Sequence, residues 1–146
     1  MEATRSMSEL SRTFEVCGDD FSRAGEASGA IKKTLKDLGF RPDVIRRVAI
    51  AAYEAEINMV IHANGGAITA VITPELISIE FRDQGPGIAD ISLAMQEGWS
   101  TATDDVRNLG FGAGMGLPNI NKNVDEFDIE TKPGVGTTLR IRVKAS

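Results

Sequence analysis

The segment from Pro42 to about Ala63 limits most strongly what this chain can fold into. Its sequence, PDVIRRVAIAAYEAEINMVIHA, opens with a proline suited to the first position of a helix and is apolar around most of a helical circumference. A helix of this kind has to be buried on more than one side, so the rest of the chain must cover it.

Regular patterns before and after this helix predict the elements that cover it. Residues 11–16 alternate as a strand, and an amphipathic helix follows over about 22–38, where Gly39 ends it. A further helix is predicted over about 117–124, and further strands at 67–73, 76–82, 127–131 and 137–143. This order predicts an α+β fold, a two-layer α/β sandwich in which helices cover one face of a mixed, mostly antiparallel sheet. Residues 1–10 are predicted to be a polar tail before a single domain, 11–146.

The composition excludes several classes of function. Sixteen Lys and Arg against 21 Asp and Glu give a net charge of −5, and a net-acidic chain is a poor general binder of nucleic acid. No apolar run reaches the roughly 18 residues that a membrane span needs, and the first residues lack the layout of a signal peptide. One cysteine and one histidine exclude an internal disulfide, a cysteine zinc cluster and a multi-histidine metal site. We therefore expect a cytoplasmic protein with no nucleic-acid or membrane partner.

Glu54 and Asn58 are four residues apart on the central helix, so their side chains project from one face. A lone helical carboxylate is most often a surface group, but this helix offers little solvent-facing surface. A buried carboxylate needs a partner, a metal or a chemical role. One turn before a carboxamide, it can polarise a hydroxyl while the amide oxygen ligates Mg²⁺, which prefers oxygen ligands.

Asp83 ends a predicted strand and opens the sequence DQGPGI. Gly85 and Gly87 can let the backbone approach a flat ligand, and the Asp83 carboxylate can accept a hydrogen bond from an exocyclic amine. The same residues are also typical of a plain strand-ending turn. The hexapeptide by itself leaves both interpretations open.

Two further glycine-rich segments follow. Alternating glycines at 110, 112, 114 and 116 lead into a predicted helix, where free backbone N–H groups make an anion site without basic side chains. This run is neither a Walker A motif nor a typical Rossmann start. The sequence Gly134–Thr138 opens the last predicted strand, and alone it is most often a hairpin.

The four motifs, in this order, resemble the boxes of the GHKL (Bergerat) ATP-binding fold shared by gyrase B and sensor histidine kinases. The N box resembles Glu54–Asn58, the G1 box Asp83–Gly87, the G2 box Gly112–Gly116 and the G3 box Gly136–Thr138. The resemblance implies ATP and Mg²⁺ as cofactors, with Asn58 on the metal and Glu54 as general base. It also implies a nucleotide site as follows: Asp83 on the adenine amino group, Gly85 and Gly87 against the ring, Gly112, Gly114 and Gly116 around the phosphates, and Thr137 or Thr138 behind the adenine through a water.

Within that superfamily, the chain looks most like the small bacterial serine/threonine kinases of partner-switching systems, which include anti-sigma factors and switch kinases. The segments 98–101 and 125–127 carry this resemblance, while Gly116-Leu117-Pro118 favours a switch kinase. The resemblance implies an enzyme that uses ATP to phosphorylate a small STAS-domain antagonist. It also allows binding of a sigma factor or a phosphatase, and a homodimer formed through the first strand and helix.

Two other functions stay open. One is a binding module that sequesters its partner under nucleotide control with little turnover. The other is the catalytic domain of a sensor histidine kinase, which is disfavoured because no helical hairpin with a phosphoacceptor histidine precedes the domain. The single histidine, His62, lies inside the N-box helix.

Overall fold

The computed structural model describes residues 9–17, 21–62, 65–83, 116–132 and 135–145. The predicted contacts of Gly85, Gly87, Gly112 and Gly114 therefore lie outside the described residues. In chain order the elements are β1 (Leu10–Cys17), a short 3-10 helix (Phe21–Arg23), α1 (Glu26–Asp37), α2 (Pro42–His62), β2 (Gly65–Ile72), β3 (Leu76–Asp83), α3 (Gly116–Asn123), β4 (Glu126–Lys132) and β5 (Gly136–Lys144).

The five strands form one sheet in the order β1-β2-β3-β5-β4. Each neighbouring pair among these strands is antiparallel. β3 and β4 therefore run in the same direction with β5 between them, and the chain crosses one strand position on its way from β3 to β4. The predicted two-layer α+β architecture is confirmed, and the described sheet is antiparallel throughout.

The central helix α2 is buried on several sides, as predicted. Its apolar residues, among them Val44, Val48, Ala51 and Ala55, are almost fully excluded from solvent. They join one core cluster with alternate residues of the sheet. No helix among the described residues is long and apolar enough to cross a membrane.

The first predicted helix is shorter than its periodicity suggests. The segment 22–38 divides into the 3-10 helix and α1, because Gly25 adopts a left-handed backbone with φ 96° immediately before Glu26. The predicted polar tail also ends earlier than residue 10, since Leu10 is already in β1 and pairs with Ile72.

Asp125, in the turn between α3 and β4, contacts both β5 and α2. Its carboxylate accepts a hydrogen bond from the Lys144 backbone N–H at 2.7 Å and pairs with Arg47 of α2 at 3.2 Å. The Lys144 N–H, with help from Arg47, lowers the pKa of Asp125 below the ordinary 3.8.

The lowered pKa of Asp125 gives a pH-dependent prediction. Stabilisation by this carboxylate is present above its unfolded-state pKa and is lost as the pH falls through the folded-state pKa. Asp125→Asn is therefore expected to unfold at lower urea concentration than wild type at pH 7. This difference in urea midpoint should disappear in strong acid. Asp37→Asn, at an exposed position of α1, is the control and should show little change. A difference in urea midpoint that is equally large at both pH values would contradict stabilisation by the ionised Asp125 carboxylate.

Candidate functional site

The chain brings three of the predicted motifs, the N, G1 and G3 boxes, to one end of the sheet. α2 ends at His62 and β2 begins at Gly65, so the last turn of α2, which follows Asn58, lies beside the start of β2. Gly66 of β2 pairs with Asp83 at the end of β3. β5 starts at Gly136 at the same end of the sheet, since it runs antiparallel to β3.

Asp83 lies half-buried at this end of the sheet. Among the described residues, its Oδ1 accepts a hydrogen bond from the backbone N–H of Thr137 at 2.9 Å. Burial raises the pKa of Asp83 above 3.8, and the Thr137 N–H opposes that rise only in part. A carboxylate left in this condition is ready to accept a further donor from a ligand.

Glycines on both neighbouring strands let the backbones of β2 and β5 come close to the end of β3. A Cβ on Gly66 would collide with the backbone oxygen of Arg82, and a Cβ on Gly136 would collide with the backbone oxygen of Asp83. The G3-box glycine is thus required by close approach of two strands. Gly66 was missed in the sequence, since only the strand register shows that it faces the G1 aspartate.

Thr137 and Thr138 lie on opposite faces of β5, because successive strand residues alternate. Thr137 shares the helix-covered face with buried Leu139, and its hydroxyl hydrogen-bonds to that of Thr131 at 3.0 Å. Thr138 shares the open face with Arg140, which is surrounded there by three carboxylates of β3 and β4. Of the two predicted threonines, Thr137 lies on the same face as Asp83.

Glu54 and Asn58 are both half-buried on α2, one helical turn apart. Burial raises the pKa of Glu54 above 4.5, and a hydrogen bond from the Asn119 side chain of α3 opposes this rise. A raised pKa makes a carboxylate a stronger proton acceptor. α3, which begins at Gly116, packs against α2.

Glu56 lies two residues away and has a different role. It is 3% exposed, and its carboxylate accepts hydrogen bonds from the backbone N–H groups of Gly25, Ala27 and Ser28 at 2.9–3.2 Å. These are N–H groups at the start of α1 that have no partner within the helix. Glu56 therefore caps α1 from the neighbouring helix and is not available to a ligand.

Comparison with known proteins agrees with this geometry. A family model described as the histidine kinase-like ATPase domain matches residues 19–143. The chain belongs to this family. The resemblance to GHKL proteins is thereby confirmed, and ATP is the nucleotide of this domain family.

Relatives of this histidine kinase-like domain include a kinase and several anti-sigma factors. The serine/threonine-protein kinase RsbT of Bacillus subtilis is 32% identical over 113 residues, which cover 75% of this chain and 79% of that protein. An anti-sigma F factor of Thermoanaerobacter sp. is 37% identical over 148 residues, covering 97% and 94%. A serine/threonine kinase and an anti-sigma factor are the two kinds of protein that the sequence resembles.

Two solved structures share the fold of this family member. One contains the RsbU and RsbW domains of a Mycobacterium tuberculosis protein, with a TM-score of 0.62 at 16% identity over 92% of this chain and 32% of that one. The other is the SiaB–SiaC complex of Pseudomonas aeruginosa, with a TM-score of 0.54 at 17% identity over 97% and 94%. At these identities the likeness concerns the fold alone.

The residues at this end of the sheet fit a magnesium nucleotide in their chemistry. Asn58 is half-buried and presents a carboxamide oxygen, the kind of hard donor that Mg²⁺ takes. Asp83 lines a cavity together with Gly66, Gly136 and Thr137, so its carboxylate is open to the exocyclic amine of a flat ring.

Proposed function

We propose that this chain is an ATP-dependent serine/threonine protein kinase of a bacterial partner-switching system, with a small STAS-domain antagonist protein as its substrate. The observation that carries the proposal is the state of Glu54: a half-buried carboxylate with a raised pKa, one turn before Asn58. Such a group suits the removal of a proton from a hydroxyl.

In this mechanism each residue has a separate task. Glu54 takes the proton from the attacking serine or threonine hydroxyl, and the Asn58 carboxamide oxygen would hold Mg²⁺. Asp83 accepts a hydrogen bond from the adenine amino group, supported by Thr137. Bound Mg·ATP supplies the phosphoryl group and the positive charge that its transfer requires. The proposal also assigns Gly85 and Gly87 to the adenine ring, and Gly112, Gly114 and Gly116 to the phosphates.

A second candidate function is supported by the names of the relatives. Several of them are called anti-sigma F factors, which is consistent with a module that holds a partner while nucleotide is bound. In that case Glu54 would have no proton to remove. The two functions differ in whether phosphate reaches the partner.

The test is transfer of label from γ-labelled Mg·ATP to a STAS-domain protein captured by this chain in pull-downs with ATP or ADP. The kinase proposal predicts label on the captured partner. Capture that depends on ATP without any labelling would overturn the kinase proposal and leave the sequestering module.

Asp83→Asn is expected to weaken ATP binding without unfolding the protein. The asparagine retains an oxygen for the Thr137 N–H but loses the charge, and a hydrogen bond to a charged group contributes about 1.5–3 kcal/mol. ATP affinity in calorimetry should fall by about 10- to 100-fold. Equal affinities for wild type and variant would remove Asp83 from the adenine site. Asp128→Asn, on the open face of β4, serves as the control.

A further inference from the structure

Arg47 of α2 holds the C-terminal end of α3. Its Nε–H donates a hydrogen bond to the backbone oxygen of Asn123, the last residue of α3, at 3.1 Å. Its Nη2 pairs with the carboxylate of Asp125 in the following turn at 3.2 Å. The last four carbonyl groups of a helix have no partner within it, and a positive charge at this end is favourable. Arg47 therefore satisfies one of these carbonyl groups and fixes the end of the helix.

Arg47 also shares a stripe of α2 with the proposed base and the proposed metal ligand. Glu54 follows it by seven residues and Asn58 by eleven, which is close to two and three turns of 3.6 residues. α3 packs against α2, which has five residues before Arg47 (42–46) and fifteen after it (48–62). The eight residues of α3 are too long for the shorter side, so this helix, held at Arg47, lies over the part of α2 that carries Glu54 and Asn58.

Apolar contacts alone would not fix where α3 lies along α2. Leu117 and Ile120 bury their side chains in the core, but hydrophobic burial is not directional. A helix of eight residues also needs support from its surroundings, since isolated helices shorter than about 12–15 residues are marginal in water. The hydrogen bond from Arg47 is directional, and it therefore sets the position of α3.

We propose that Arg47 is a positioning residue for the nucleotide phosphates. By fixing α3 along α2, it sets the distance between Gly116, where α3 begins, and Asn58. This inference rests on the proposed function, which assigns Gly116 to the phosphates and Asn58 to Mg²⁺. Arg47 touches neither group in this role, and none of the four sequence motifs contains it. Its loss should therefore weaken binding of a ligand that carries phosphates and leave binding of adenosine, which has none, unchanged.

The test compares equilibrium titrations with Mg·ATP and with adenosine. Arg47→Met keeps a side chain of similar length that cannot donate, so ATP affinity should fall about 10- to 100-fold, the range found when groups that orient the ligands of a metal site are removed. Adenosine affinity should not change. Arg46→Met, at the exposed neighbouring position, is the matched control and should bind both ligands as wild type does. Should Arg47→Met not fold, Arg47→Lys gives the same comparison, because it keeps the charge without the planar fork of donors.

Asp125→Asn separates positioning from stability. It is expected to lower the free energy of unfolding, yet it leaves the hydrogen bond from Arg47 to Asn123 in place, so ATP affinity should stay near that of wild type. Unchanged ATP affinity in Arg47→Met, an equal loss for adenosine, or the same loss in Asp125→Asn would overturn the positioning role and leave the kinase proposal standing. If wild type binds no ATP, the proposed nucleotide site fails and this role fails with it. If wild type binds ATP but labels no partner, only the kinase proposal fails.

Discussion

Glu56→Ala is expected to destabilise the fold more than any other single carboxylate substitution in the described chain. The change leaves the N–H groups of Gly25, Ala27 and Ser28 without their acceptor at the buried start of α1. Hydrogen bonds to a charged group contribute about 1.5–3 kcal/mol each, so the free energy of unfolding should fall by about 3 kcal/mol or more. Urea unfolding followed by circular dichroism measures this directly.

Two further variants test whether the loss of stability comes from the lost cap of α1. Glu56→Gln keeps the shape but turns an amide N–H toward backbone donors, so it should lose part of the same stability. Glu26→Gln removes an exposed carboxylate from the start of the same helix, and the expected change is within about 0.5 kcal/mol. Equal unfolding midpoints for Glu56→Ala and Glu26→Gln would contradict the capping role.

The second large effect concerns Glu54, where the outcome should be the reverse: lost activity with retained stability. Glu54→Gln removes only the proposed base, so transfer to the partner should fall by about 10²–10⁴-fold while ATP still binds. Asn58→Ala removes the proposed Mg²⁺ ligand and should damage both ATP binding and transfer. Single-turnover labelling of the partner, together with calorimetry for ATP, separates the two roles.

The stability of Glu54→Gln is a further check on that assignment. Because burial raises the pKa of Glu54, its contribution to stability is fully present only below the unfolded-state pKa and is lost as the pH rises through the folded-state pKa. At pH 7 the neutral glutamine should therefore be at least as stable as the ionised glutamate. A Glu54→Gln protein that transfers phosphate at the wild-type rate, or that unfolds as readily as Glu56→Ala, would show that Glu54 is a structural residue.

Local patterns in the sequence are enough to predict much of this fold. The apolar circumference of α2 and the alternation in β3 and β5 each depend on neighbouring residues in the chain, and the structure has them within one or two residues of the predicted bounds. The order of the four motifs then indicates the ATPase-domain family, which the family comparison confirms.

Contacts between distant segments could not be predicted in the same way. Periodicity extends α1 back to residue 22, whereas the helix begins at Glu26, directly after the left-handed Gly25, and Glu56 caps this start from another helix. The need for glycine at 66 depends on the register between β2 and β3. Which of Thr137 and Thr138 shares the face of Asp83 depends likewise on the register between β3 and β5.

The most direct measurement of the central claim is tandem mass spectrometry of a STAS-domain partner after incubation with this chain and Mg·ATP. The kinase account predicts one phosphorylated serine or threonine on the partner, absent when Glu54→Gln replaces the wild type over the same short interval. A partner that is bound in the presence of ATP and stays unmodified, or phosphate found only on a histidine, would contradict it.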